Sequence, residues 1–134
     1  MSATLDTNVL LRLVLRDIPE HYAIVKALVT EPGAHYRVTD MAISETVHAL
    51  SHHYSLTREQ VADIVRAIIL DPSLETNRSF IEGVIECFLD HPALSYTDCY
   101  LAEEARVSGN VPLLTFDNKL AVQHPAAQIL TLSG

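Results

Sequence analysis

Long apolar runs are missing from this chain. Its apolar stretches reach only three or four residues, such as Val9-Leu10-Leu11 and Ala67-Ile68-Ile69-Leu70, whereas a membrane span needs roughly twenty. Glycine and proline are scarce, at 4 and 6 of 134 residues, so flexible linkers and low-complexity tracts are not expected. Cysteine is limited to Cys87 and Cys99. They form no C-x-x-C pair and suit a reducing compartment. The opening Met1-Ser2-Ala3-Thr4-Leu5-Asp6 has no basic leader before an apolar run, so the expectation is a cytoplasmic protein without a secretory signal. Basic residues are few, 9 against 17 acids, for a net charge of −8. An acidic surface repels phosphate. That objection to a nucleic-acid partner holds only if the acids are scattered rather than gathered on one metal.

What remains is a globular composition, 49% hydrophobic and 19% charged, far from the profile of disorder. The length suits one domain over residues 1–134. Ala3-Thr4-Leu5 reads as a strand ended by Asp6-Thr7-Asn8, three good helix-capping residues. Apolar helices are expected over Val9 to Leu15 and Glu20 to Val29. His35 to Thr39 alternates like a strand. Asp40 is the expected cap of the next helix, which carries Ile43, Val47 and Leu50. A further helix opens at Leu56-Thr57-Arg58-Glu59 and is stopped by Asp71-Pro72. Leu74 to Thr76 is a weak strand. Helices follow over Ser79 to Leu89 and Thr97 to Val107, the latter closed by Ser108-Gly109-Asn110. Val111 to Phe116 is a strand, Asp117 to Val122 a short helix, and Gln128 to Leu132 a last strand. Such alternation implies an α/β fold, a three-layer α/β/α sandwich with a mainly parallel central sheet.

Ligands of open α/β sheets bind beyond the carboxyl ends of the strands. Four acids fall there: Asp6, Glu45, Asp98 and Asp117. Singly, each Asp is explained as a helix cap or first-turn residue, and Glu45 as a solvated side chain. Together they are harder to dismiss. Two carboxylates ~4 Å apart repel by roughly 4 kcal/mol at an effective dielectric near 20, so a cluster needs shared protons or cations. Oxygen-only ligands suit Mg²⁺ or Mn²⁺. Such an ion activates water and clamps a phosphodiester oxygen.

The blocks around these acids resemble a known family. Leu5-Asp6-Thr7-Asn8-Val9-Leu10-Leu11-Arg12 is similar to the opening of a PIN-domain nuclease. Ile43-Ser44-Glu45 with Val47 and Leu50, Tyr96-Thr97-Asp98-Cys99-Tyr100-Leu101-Ala102, and Leu114-Thr115-Phe116-Asp117-Asn118-Lys119-Leu120 resemble the other three acidic blocks. Order, spacing and length resemble the VapC-like toxins of toxin–antitoxin pairs, over about residues 3 to 132. The resemblance implies a metal-dependent endoribonuclease acting on structured RNA, inhibited by a cognate antitoxin, with Asp6, Glu45, Asp98 and Asp117 as catalytic and metal-holding residues. It also points to a homodimer, as does the apolar excess on the helices from Ala23 to Val29 and Val61 to Leu70. Two departures are Cys99, where a small alanine is usual, and His48, where an aromatic residue is common.

Thr7, Asn8, Arg12 and Thr115 are the expected substrate-side residues. For Arg12 the competing reading is an ion pair with Asp17 or Glu20; for the others it is capping or local hydrogen bonding. His48, His52 and His53 lack the H-E-x-x-H pattern of a zinc site and read as packed or solvated. Glu103-Glu104 reads as a solvated helix face, with Glu103 near the rim of the site. Two other functional classes compete. A haloacid-dehalogenase-type phosphatase needs a second Asp where Asn8 stands. A non-catalytic PIN scaffold that only docks a partner would tolerate loss of an acid, yet all four are present.

Overall fold

A computed structural model describes residues 2–132. These residues form two compact units, one ending at Glu82 and one beginning at Gly83. The first holds β1 (Ser2–Thr4), α1 (Thr7–Leu15), α2 (Pro19–Thr30), β2 (His35–Arg37), α3 (Asp40–His52), α4 (Arg58–Leu70) and β3 (Leu74–Glu75). The boundary falls within α5 (Arg78–Asp90). The second unit continues with α6 (Tyr96–Ser108), β4 (Leu113–Thr115), α7 (Asn118–Gln123) and β5 (Ala127–Ile129).

Every strand pairing is parallel. In the first unit the order is β1-β2-β3, with Ala3 opposite Tyr36 and Arg37 opposite Glu75. In the second, β4 pairs with β5, Leu114 opposite Gln128. This is the α/β class that the alternation of strand and helix predicts. Parallel strands need covered faces, and the first unit supplies the cover with Leu10, Ile43, Leu50, Val61 and Val65, all fully buried beside Tyr36 and Val38. In the second unit Phe88 meets Tyr96 edge to face, 6.0 Å between ring centroids, over buried Leu94, Cys99 and Ala102. Among the described residues, no helix is long and apolar enough to cross a membrane.

The helix starts follow local chemistry. Asp6 caps α1, its side chain accepting from the Val9 N–H. Thr57 and Gln60 form a reciprocal capping box at α4. The cap of α3 is Thr39 rather than the expected Asp40: Thr39 has the extended backbone of a cap, and its Oγ1 accepts from the Ala42 N–H at 3.1 Å. The strand ends at Arg37, one residue pair short of the expected span, which leaves Thr39 free to turn into this role. Gly109 closes α6 with a left-handed φ of 77°. The last two strands are shorter than their apolar runs because the ladder is bounded by Leu113 opposite Ala127 and Thr115 opposite Ile129.

The Thr39 hydroxyl holds the start of the helix that carries Glu45. Replacing Thr39 with Ala is expected to cost about 1 kcal/mol of unfolding free energy, while Thr39→Ser, which keeps the hydroxyl, costs only a few tenths. Urea unfolding of the three proteins measures this. Equal losses for Ala and Ser would assign the capping role elsewhere.

Candidate functional site

In the first unit, β1 ends just before Asp6, so the chain turns from strand to helix at this carboxylate. Asp6 is exposed, and its Oδ1 accepts from the Val9 N–H at 2.9 Å. Glu45 lies in α3 and is also exposed. It is tied to the same strand-to-helix junction by Thr7, whose hydroxyl donates to Glu45 Oε1 at 3.0 Å. Thr7 thus acts on a carboxylate of its own chain.

In the second unit, Asp117 lies two residues after β4 and caps α7, its Oδ1 accepting from the N–H groups of Lys119 at 2.9 Å and Leu120 at 3.3 Å. Its own N–H donates to Thr115 Oγ1 at 2.9 Å, so Thr115 shapes the turn that presents Asp117. Asp98 is half-buried in the first turn of α6. That helix is entered from a turn at residues 91–95 and capped by Ser95, whose hydroxyl accepts from the Asp98 N–H at 3.1 Å.

The capping roles read from the sequence are therefore real, and they leave donor capacity over. Asp6 and Asp117 each use Oδ1 and keep Oδ2; Glu45 uses Oε1 and keeps Oε2. Among the described residues, none of the four carboxylates has an ion-pair partner, whereas Asp17, Glu75, Glu82 and Glu103 all do. Helix N-termini offset part of the charge on Asp6, Asp98 and Asp117, each by roughly 0.3–1 kcal/mol. Within each unit taken by itself, Asp6 and Glu45 in the first and Asp98 and Asp117 in the second offer carboxylate oxygens of the kind a hard divalent cation takes, with no Lys or Arg paired to them among the described residues.

Arg12 is engaged. Its guanidinium meets Asp17 at 2.9 Å and the Tyr54 hydroxyl at 3.4 Å, the ion pair anticipated as the competing reading. The Tyr54 hydrogen bond and, more weakly, Asp17 raise its pKa against the effect of burial. Asn8 is exposed and lines a groove between α1 and α2 with Val9, Ile18 and Ile24. His48, His52 and His53 are exposed, with the first two ring centroids 4.4 Å apart and the rings tilted by 41°.

Glu103 corrects the expectation of a solvated helix face. It is buried, 8% exposed, with His124 at 4%. Glu103 Oε2 lies 2.8 Å from His124 Nε2, and Oε1 accepts from Arg106 Nη2 at 2.9 Å. Spacing gives no hint of the His124 pairing, but Glu103 lies four residues after buried Cys99, on the apolar side of α6. Cys87, Glu103 and His124 also bring possible ligand atoms within 4.8 Å of one another. The ring's hydrogen bonds argue against a cation there. The Ala126 N–H donates to His124 Nδ1 at 3.0 Å, so Nε2 carries the ring hydrogen and donates it to Glu103. A cation on Nε2 would force that hydrogen to Nδ1, facing the Ala126 N–H.

Burial pushes the Glu103 pKa up, but the hydrogen bonds from Arg106 and His124 outweigh it and hold the carboxyl below its ordinary value. A depressed folded-state pKa gives stability that is present above the unfolded value, near 4.3, and lost as pH falls through the folded value. Glu103→Gln is therefore expected to unfold at lower urea than wild type at pH 7, with the gap narrowing as pH falls below about 4. A gap that stayed constant across this range would contradict the ionised role of Glu103.

Comparison with known proteins now bears on these acids. No curated protein matches the chain. The PIN domain family model matches residues 3–123. That span includes Asp6, Glu45, Asp98 and Asp117 and is consistent with a three-layer α/β/α fold. It supports nuclease-type chemistry and divalent-metal use in general. With most of its length matched, from the first strand through the last short helix, the chain belongs to the PIN domain family.

Proposed function

We propose that this protein is a metal-dependent endoribonuclease, the toxin of a toxin–antitoxin pair resembling the VapC group, acting in the cytoplasm on structured RNA. The observation that carries the reading is the set of four carboxylates without basic partners among the described residues, three of them engaging only one oxygen in a capping or hydroxyl hydrogen bond. When bound, Mg²⁺ or Mn²⁺ supplies an acidified water and positive charge beside the phosphodiester.

The chain's own residues do the holding. Asp6, Glu45, Asp98 and Asp117 bind the cation; Thr7 fixes the rotamer of Glu45, and Thr115 fixes the turn at Asp117. Cys87 and Cys99 are buried thiols outside any disulfide, which suits the proposed reducing compartment. The groove between α1 and α2, about 500 Å³ and lined mainly by Val9, Ile18, Ile24 and Val25, gives an apolar antitoxin segment a seat on the helix that Asp6 caps. An Arg or Lys of that segment then neutralises the free carboxylate oxygens. A second copy of the chain covers exposed apolar residues such as Leu70, 64% exposed, in a homodimer.

Cleavage of structured RNA in Mg²⁺ tests the reading. Asp6→Asn and Asp98→Asn are expected to keep the wild-type circular dichroism spectrum and to cleave slower by on the order of 10² or more, and excess EDTA stops the wild type. Undiminished cleavage in either variant or in EDTA contradicts the metal mechanism. A folded wild type that cuts no RNA in Mg²⁺ or Mn²⁺ favours the non-catalytic docking module.

A further inference from the structure

Helix α7 has little of its own to hold it in place. It is six residues long and buries only Leu120, while Val122 is 81% exposed. A helix this short is marginal without tertiary support. Its first turn is held by the Asp117 carboxylate. Its other end terminates at His124, whose N–H donates to the Leu120 carbonyl at 3.0 Å and whose ring reaches Glu103 of α6.

We propose that the Glu103–His124 hydrogen bond, braced by Arg106 and the Ala126 N–H, is a clamp that fastens α7 to α6 and thereby sets Asp117 relative to Asp98. This rests on the metal-binding reading of those two acids. Glu103 lies about one and a half turns beyond Asp98 on the same helix, and His124 lies at the far end of the helix that Asp117 caps. Two elements, each with a proposed metal-holding carboxylate at its start, are thus joined through this buried contact, beside a longer, exposed His91–Gln123 contact at 3.3 Å. The contact is well built. The two side chains are 11% and 5% exposed, and a charge-assisted hydrogen bond shielded from water is shorter and stronger than an exposed one. Both ring nitrogens of His124 are satisfied, Nδ1 by Ala126 and Nε2 by Glu103. The second carboxylate oxygen is occupied by Arg106. Glu103 and His124 touch neither proposed metal nor RNA, so they act as positioning residues.

The test uses the full chain as Glu103→Ala, His124→Ala and Glu103→Gln. Glu103→Gln keeps an oxygen that accepts from His124. Amide hydrogen exchange without metal is the first readout. The Ala variants are expected to lose protection at Lys119 and Leu120 by about tenfold or more, with α6 amides unchanged, and Glu103→Gln to keep most of it. Mn²⁺ affinity, read by electron paramagnetic resonance well below the melting temperature, is the second. It is expected to fall about ten- to a hundredfold in the Ala variants and to be largely rescued in Glu103→Gln. Should an Ala variant fail to fold, Arg106→Ala, which leaves the buried bond but removes its brace, is read the same way with smaller shifts. Unchanged protection at Lys119 and Leu120, or a uniform loss across the chain, overturns the clamp. Unaltered Mn²⁺ affinity despite local loss overturns its bearing on the carboxylates. A wild type that binds no Mn²⁺ overturns the metal reading beneath it, while the exchange pattern still decides whether the clamp exists.

Discussion

Negative charge without a basic partner is the constraint around which this structure is arranged. The chain carries 17 acids and 9 bases, so most of its acids meet no base. Arg12 answers Asp17, Arg37 answers Glu75, Arg66 answers Glu82, and Arg106 answers Glu103. Among the described residues, Asp6, Glu45, Asp98 and Asp117 receive none. Asp6, Glu45 and Asp117 are instead oriented by neutral donors: backbone N–H groups at helix starts and the Thr7 hydroxyl. Neutral donors fix where a carboxylate points without cancelling its charge, and that is the condition a divalent cation needs from its ligands.

The parallel architecture explains why these acids can be placed this way. A parallel strand delivers its chain to the start of a helix, and the turn between them is where capping residues belong. β1 delivers Asp6 and β4 delivers Asp117, so a single carboxylate serves as both cap and candidate ligand in each unit. The two roles do not compete, because a cap occupies one oxygen. Asp98 sits in the first turn of its helix but leaves the capping to Ser95, and among the described residues no hydrogen bond engages its carboxylate. The buried Glu103–His124 contact has the opposite character. Its charge is fully answered, and it ties elements together rather than facing a ligand.

Local chemistry was legible in the sequence, and pairing across distance was not. Asp6 and Asp117 stand out because strand, capping residue and helix follow one another directly. Gly109 marks a helix end through the left-handed backbone it alone adopts cheaply. The Thr7–Glu45 bond joins residues 38 apart and the Glu103–His124 bond residues 21 apart, and no periodicity encodes either. Asp40 was an equally good cap on paper as Thr39. The choice fell to Thr39 because the strand ended early and placed its hydroxyl on the Ala42 N–H. Glu103 was misjudged because charged residues are rarely buried, although its place four residues after Cys99 put it on the apolar side of α6.

The melting temperature of the full chain in Mg²⁺ tests the central claim directly. If the unpartnered carboxylates form a cation site only in the folded protein, Mg²⁺ stabilises it by mass action, by about 2.7 kcal/mol at a hundredfold excess over the dissociation constant. The comparison is against EDTA with sodium chloride added to equal ionic strength, so that simple screening is removed. Wild type is expected to melt higher in Mg²⁺ than in matched salt, with the increment reduced in Asp6→Asn and Asp98→Asn. No difference between Mg²⁺ and matched salt, or an equal increment in all three proteins, would mean that these acids do not form a cation site.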